Sequence, residues 1–354
     1  MTRHPRVLTI GSATLDLFIG STRPSFRELE LNQTMLIGLD EGIKYEIEDL
    51  IARPGGGATN AARVLRRCGL GVTAFFKTAD DQIGRRVAAA LHEDGIDMRA
   101  AITTAAVTTG LSIIIPAPSG NKTILSFRGA NDTIQEQELP LFFMKGMDGI
   151  YVAPLAGKTA QCLQKIAQES TINTSTLMVN PSAYQLTEGR TELTKVFEHI
   201  DILLLNATEA KLLLRGLVSG GTSIETLPRS NLDANLADRP LSRTFDSLQG
   251  KIYGIFDFLN TVHGLGPATV LVTDGSNGIY ALDEHGPHFC PSVPTQVVNT
   301  VAAGDTFGAT FFGAHLLGYD TATALRFGAI NSARLLGSPD GIAAVLSIEE
   351  LKKL

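Results

Sequence analysis

Short apolar runs of buried-strand character recur along the chain at Val7 to Ile10, Val72 to Phe76, Gly149 to Val152, Leu177 to Val179, Ile202 to Leu205 and Val270 to Val272. Helical patterns separate many of them. Ala61, Val64, Leu65 and Cys68 fall at i, i+3, i+4 and i+7, and the pattern stops at Gly69, which predicts an amphipathic helix with a glycine at its carboxyl end. Strands that are apolar throughout and alternate with helices predict an α/β fold, a parallel sheet covered by helices. Two stretches break the rhythm. About Leu17 to Ile51 and Thr109 to Arg128 read as extended pieces, with alternation in Thr123 to Phe127 and a turn at Pro118-Ser119-Gly120-Asn121. They predict a small separate sheet, suited to act as a lid that excludes water. Gly216 to Arg243 is polar, rich in Ser, Asn, Asp and Gly, and reads as a surface insertion.

Composition sharpens this picture. At 354 residues, 44% hydrophobic, 19% charged and with 35 glycines, the chain is a soluble globular protein with many tight turns, and a disordered chain is excluded. A net charge of −6 argues against nucleic-acid binding. Polyanions would have to be met locally by helix termini, a few cations or a metal, with magnesium the natural supplement. Cys68, Cys162 and Cys290 lack CxxC spacing, so neither a disulfide framework nor a zinc site is expected, and a reducing cytoplasm fits best. No secretion signal or transmembrane span is read. The most apolar stretch, Phe307 to Leu317, contains Gly308 and Gly313 and is far shorter than the ~20 residues a bilayer requires.

Candidate chemistry concentrates where strands end. Val298-Asn299-Thr300-Val301-Ala302-Ala303-Gly304-Asp305 runs into the apolar helix that starts at Phe307. Small side chains there let an anion approach the unpaired N–H groups of the first helical turn. Asp305 beside such an anion can accept the proton of an attacking alcohol, although Asp is equally a common N-cap. Asp16, after the turn Gly11-Ser12-Ala13, can accept hydrogen bonds from vicinal hydroxyls. Gly55-Gly56-Gly57-Ala58-Thr59-Asn60 opens a helix with a glycine loop but lacks a P-loop lysine. Asp80 to Gly84 reads as a turn into the next helix. Asn206-Ala207-Thr208-Glu209 spells a capping box and, alternatively, a water-mediated hold on magnesium. Thr273-Asp274-Gly275-Ser276-Asn277-Gly278 fits a phosphate-facing loop and a plain hairpin turn equally. His285 and His288 read as surface turn residues without a third metal ligand.

Taken in order, these segments resemble the ribokinase-like, or PfkB, family of carbohydrate kinases, and the resemblance spans nearly the whole chain. It implies a Rossmann-like, doubly wound and mostly parallel sheet flanked by helices, with residues 1–16, 52–108 and 129–354 forming the core, 17–51 and 109–128 the β lid, and 216–243 an insertion in the core. The implied reaction is transfer of the γ-phosphoryl group of ATP, with Mg2+, to a hydroxymethyl group. Asp305 matches the general base, and the N–H groups of Ala302, Ala303 and Gly304 match the anion hole. Asp16, Gly56, Gly57 and Asn60 match sugar-contacting positions. Asn206 and Glu209 match the motif that organises magnesium and phosphates, Glu209 through water, and Thr273, Gly275 and Gly278 match the nucleotide loop. Asn331 is placed beside the adenine.

Two positions depart from the family pattern. Ala302 replaces a glycine, which leaves the N–H donors in place provided that the backbone does not need positive φ. Asn299 replaces an acid that helps to hold potassium in activated relatives, so little potassium dependence is expected. Lid strands in this family can pair between subunits, which allows a homodimer. A nucleoside kinase and a noncatalytic sugar or nucleotide sensor are the rival readings. With no Trp in the chain and few aromatics in the lid, a stacking platform for a base is missing, which favours a sugar. A phosphosugar would need a further cation, for which Arg53 and Lys122 are candidates.

Overall fold

The computed structural model describes residues 4–20, 27–31, 34–117, 122–228, 232, 234–248, 250–298 and 301–354. The turn expected at Pro118 to Asn121, and Asn299, lie outside them. The apolar runs become the strands Arg6–Ile10, Gly71–Phe75, Gly149–Val152, Thr176–Val179, Ile202–Asn206 and Thr269–Thr273. These run parallel in an eight-stranded sheet, which Ile279–Asp283 and Gly286–Cys290 extend antiparallel at one edge. Both faces of each strand are apolar because each face feeds its own core. Leu8, Ile150, Val152, Leu203 and Val270 pack into one apolar layer, and Val7, Tyr151, Ile202, Leu204 and Leu271 into the other.

The first strand lies between Gly71–Phe75 and Gly149–Val152, so the sheet grows one way and then reverses. At such a reversal the crevice beyond the strands' carboxyl ends is where open α/β sheets hold ligands. Chain segments meet closely there: a Cβ at Gly11 or Gly57 would stand 2.8 or 2.6 Å from the Ala153 Cβ. The helix Gly57–Arg67 starts at this point and buries Ala58, Ala61, Ala62, Val64 and Leu65. The helix Ala303–Leu316 starts beside it and is buried on every side from Thr306 to Ala314. A helix apolar all round belongs in the interior, and Gly308 brings it against Leu204 and Tyr151.

Thr14–Gly20, Asp49–Gly55, Gly110–Pro116 and Lys122–Phe127 form a separate four-stranded sheet, and Arg27–Leu31 pairs with Thr34–Gly38. Thr14 follows closely on the first core strand, and Asp49–Gly55 leads straight into the helix Gly57–Arg67, so the small sheet joins the core at the crevice. Asn131 braces this junction: its amide oxygen accepts from Ala13 N–H at 2.8 Å and its Nδ2 donates to the Ala13 carbonyl at 2.9 Å. Segment 216–243 differs from a purely surface insertion. Its first residues complete the helix Ala207–Ser219, and Leu227 is buried in the main core. Among the described residues, no helix is long and apolar enough to cross a membrane.

Candidate active site

Asp16 and Asn60 face Asp305 across the crevice. Asn60, 5% exposed on the second turn of its helix, donates from Nδ2 to Asp305 Oδ2 at 2.9 Å. Asp16, 6% exposed, accepts from the Thr14 hydroxyl at 2.8 Å and from Ser112. Burial raises the Asp16 carboxyl above its ordinary value, against the pull of those hydroxyls and of Lys122. Burial also pushes Asp305 up to about 6; the Asn60 amide opposes this, Asp16 adds to it, and Lys122 opposes it. An acid poised near neutrality is ionised at pH 7 yet basic enough to take a proton.

The turn before Asp305 resolves the question raised by Ala302. It is the N-cap of the helix Ala303–Leu316 and adopts φ +65° and ψ +13°, the left-handed region, so this position does need the conformation that glycine adopts freely. The methyl group is therefore a source of strain. Ala302→Gly is expected to stabilise the fold by about 1 kcal/mol, less the extra chain entropy that glycine brings to the unfolded state. Urea unfolding checks this, and an unchanged or lowered midpoint would contradict it.

Ala303 and Gly304 border a cavity of about 490 Å³. Thr273, Gly275 and Gly278 form one wall, and Val297, Phe307 and Ser332 contribute to the others. Both readings of the Thr273 to Gly278 segment hold together. It is the hairpin turn between Thr269–Thr273 and Ile279–Asp283, and it lines the cavity. Gly275 and Gly278 have φ of +52° and +103°, and a Cβ at Gly278 would stand 2.7 Å from the Cys290 carbonyl oxygen. A mainly apolar chamber that ends on a helix N-terminus suits a purine whose phosphates point at N–H groups.

Asn206 and Glu209 form a reciprocal capping box, each backbone N–H donating to the other's side-chain oxygen at 2.9 Å. Burial raises the Glu209 carboxyl, the Asn206 and Asn180 bonds oppose it, and the charge of Asp305 adds to it. Tyr151, fully buried, has a hydroxyl with no hydrogen-bond partner among the described residues, and it feels the charges of Asp305 and Glu209. Crowded, destabilised carboxylates of this kind fit a divalent cation. Among the described residues no group of three or more His, Cys, Asp or Glu could hold one. Such a cation must take most of its ligands from phosphate and water.

Several of the expected residues have structural partners of their own. Asn331 is fully buried and hydrogen-bonds Thr310 and both the N–H and carbonyl of Leu346. It pins the C-terminal segment to the helix Thr321–Leu336, while its neighbours Ser332 and Ala333 reach the cavity. Gly56, with φ +101°, and Gly57 serve close packing: a Cβ at Gly56 would stand 2.5 Å from the Ser12 carbonyl oxygen, and Gly57 N–H is held by the Ser12 hydroxyl. The glycine that makes room for a functional group is Gly55, where a Cβ would lie 2.0 Å from Asp16 Oδ2. His288 is not a free surface residue, because its Nε2 is 2.9 Å from Asp283, whose other oxygen accepts from Thr321. Of the two cations considered, Arg53 stacks over Phe18 and donates to the Pro339 carbonyl, whereas Lys122 interacts with Asp305 and Asp16.

The first turn of a buried helix thus carries the edge of an apolar cavity together with an acid that is bonded to Asn60 and coupled to Asp16. A model of the pfkB family carbohydrate kinases matches residues 25–224 and 247–344. The chain belongs to this family and is a sugar kinase, a phosphotransferase with an alcohol group as acceptor. It is 24% identical over 350 residues to the ribokinase of Bacillus subtilis strain 168, covering 98% of each chain. Its fold matches the structure of E. coli ribokinase II in complex with ATP and Mg2+ at a TM-score of 0.74 and 16% identity, covering 99% of this chain and 98% of that one. It also matches Arabidopsis thaliana ribokinase complexed with ribose and ATP at a TM-score of 0.73 and 18% identity, with the same coverage.

Proposed function

We propose that the chain transfers the γ-phosphoryl group of ATP to a hydroxymethyl group of a sugar-type acceptor, with Asp305 as general base. The observation that supports this most directly is the position of Asp305. It is hydrogen-bonded to Asn60 and electrostatically coupled to Asp16, in the same first helical turn as Ala303 and Gly304 at the edge of the cavity. In this reading acceptor hydroxyls dock on Asp16 and Asn60 beneath the small four-stranded sheet, acting as lid. The acceptor oxygen bonds to the γ-phosphorus as Asp305 takes its proton, and the bond to the β-phosphate oxygen breaks with its electron pair leaving on ADP. The first-turn N–H groups of Ala302, Ala303 and Gly304, which by position have no helical acceptor, face the developing charge. Magnesium would supply charge neutralisation at the phosphates, and Glu209 would hold it through water.

Phe18 shares the Asp16 face of its strand, but the Arg53 guanidinium stands 5.7 Å over its ring, so no open aromatic platform is offered there to a base. This supports a sugar over a nucleoside. The deciding experiment is an ADP-release screen over pentoses, hexoses, sugar acids, phosphosugars and nucleosides with magnesium, run in sodium and repeated in potassium. Release of ADP with a sugar-type acceptor, at a similar rate in both salts, is expected. A sharp rise in potassium would refute the inference from Asn299, and no release with any acceptor would favour a noncatalytic sensor.

A further inference from the structure

A second cavity, of about 530 Å³, opens at the opposite end of the main sheet from the crevice. Arg6 and Gly71, the first residues of their strands, line it, whereas the crevice lies beyond the carboxyl ends of the same strands, roughly 15 Å away at about 3.3 Å per residue. Val72 and Met147 give this cavity a buried apolar lining, and three cations, Arg6, Arg99 and Lys145, are exposed residues of the same lining. Among the described residues, Asp97 is the acid that borders it, and Arg99 already neutralises that charge: Nε donates to Oδ1 at 2.9 Å and Nη2 to Oδ2 at 2.7 Å. The Arg6 guanidinium donates to the Gly146 carbonyl, a neutral group. Asp148 accepts from the Arg6 backbone N–H at 2.7 Å and lies outside the lining. Lys145 has no ion-pair partner among the described residues.

Beside these charges stands an aromatic side chain left in water. Phe142, 79% exposed, is the most exposed of the large apolar side chains described, and it meets Phe143 edge to face at 5.6 Å. Phe143 is covered in turn by the Arg99 guanidinium, 5.9 Å from its centroid, so the Phe142 ring is the one that keeps an open face. A chamber of this size with an apolar lining and a few convergent polar groups is the usual form of a small-molecule site. The open ring suits a planar aromatic group. Three cations less one acid leave two positive charges, which match a phosphate monoester dianion: a single carboxylate would leave one cation unmet, and a polyphosphate would exceed both. We propose that this cavity is a second ligand site, which takes an aryl phosphate monoester whose ring stacks on Phe142 while Arg6 and Lys145 hold its phosphate. It does not depend on the kinase reading above.

The test is a titration of the full chain with 1-naphthyl phosphate, whose own fluorescence reads binding cleanly because the chain contains no Trp. Saturable binding is expected, with inorganic phosphate and 1-naphthol, which each carry half of the recognised chemistry, at least 10-fold weaker by calorimetry. Phe142→Ala and Lys145→Ala should each weaken it by about 10-fold or more, the range of one stacking or charge-assisted contact. Both side chains are exposed and outside the catalytic crevice, so the variants should melt like the wild type and release ADP at its rate when no probe is added. AMP in place of the naphthyl compound distinguishes a nucleotide from a simple aryl source, and whichever binds more tightly must lose affinity in the same two variants. Inorganic phosphate or naphthol binding as tightly as the ester would overturn the proposal. So would an affinity unchanged in both variants, which would place the probe elsewhere on the molecule, or the absence of saturable binding to the wild type.

Discussion

Asp305→Asn is expected to lower kcat by about 10²- to 10⁴-fold, the usual contribution of a positioned general base. Asparagine keeps the shape and can still turn an oxygen towards Asn60, so positioning survives and only proton acceptance is lost. Phosphoryl transfer has a loose transition state, which is why a residual rate set by positioning and amide electrostatics should remain. The wild-type rate should fall below pH about 6, where burial has placed the Asp305 carboxyl, and this acid limb should vanish in the variant. The stability consequence has the opposite sign to that of an ordinary salt-bridged acid. Raised from 3.8 to about 6, the carboxyl holds its proton more tightly in the folded chain, so stability falls as pH climbs through that window and stays reduced above it. The neutral amide removes a cost of up to about 3 kcal/mol at pH 7. The variant should therefore melt no lower than the wild type while turning over far more slowly. Near-normal kcat, or an acid limb that persists, would take Asp305 out of the mechanism.

What the sequence made legible follows from how local each feature is. The buried strands were readable because a parallel sheet covered on both faces needs apolar residues at every position, and Ile202 to Leu205 has no other plausible fate. The Asn206 and Glu209 capping box was readable because its partners are three residues apart. Features that depend on distant segments were not readable. Asn331 lies in a helix next to the cavity, and only the C-terminal segment, through Leu346, shows that its amide is already engaged. Ala302 spells a neutral substitution until the backbone shows the left-handed turn.

Gly55→Ala tests the other half of the site without removing any polar group. The backbone at Gly55 is not in the left-handed region, so alanine is conformationally acceptable there. The obstacle is its methyl carbon, which would stand 2.0 Å from Asp16 Oδ2 and 2.4 Å from its Cγ. Real contacts of that length do not exist, so the carboxylate must leave its bond with Thr14 and its place facing Asp305. Two charge-assisted contacts to acceptor hydroxyls are then lost together, and kcat/KM for the acceptor should drop by roughly 10²-fold or more. The KM for ATP should change little, because Gly55 does not line the cavity that the Thr273 to Gly278 wall borders. Asp16→Ala should cause a similar loss, and adding Gly55→Ala to it should cost little further, since the group displaced by the methyl is already gone. Losses that simply multiply in the double variant would mean that Gly55 acts through the fold of the glycine loop and not through Asp16, and acceptor kinetics unchanged in Gly55→Ala would show that Asp16 does not hold the acceptor.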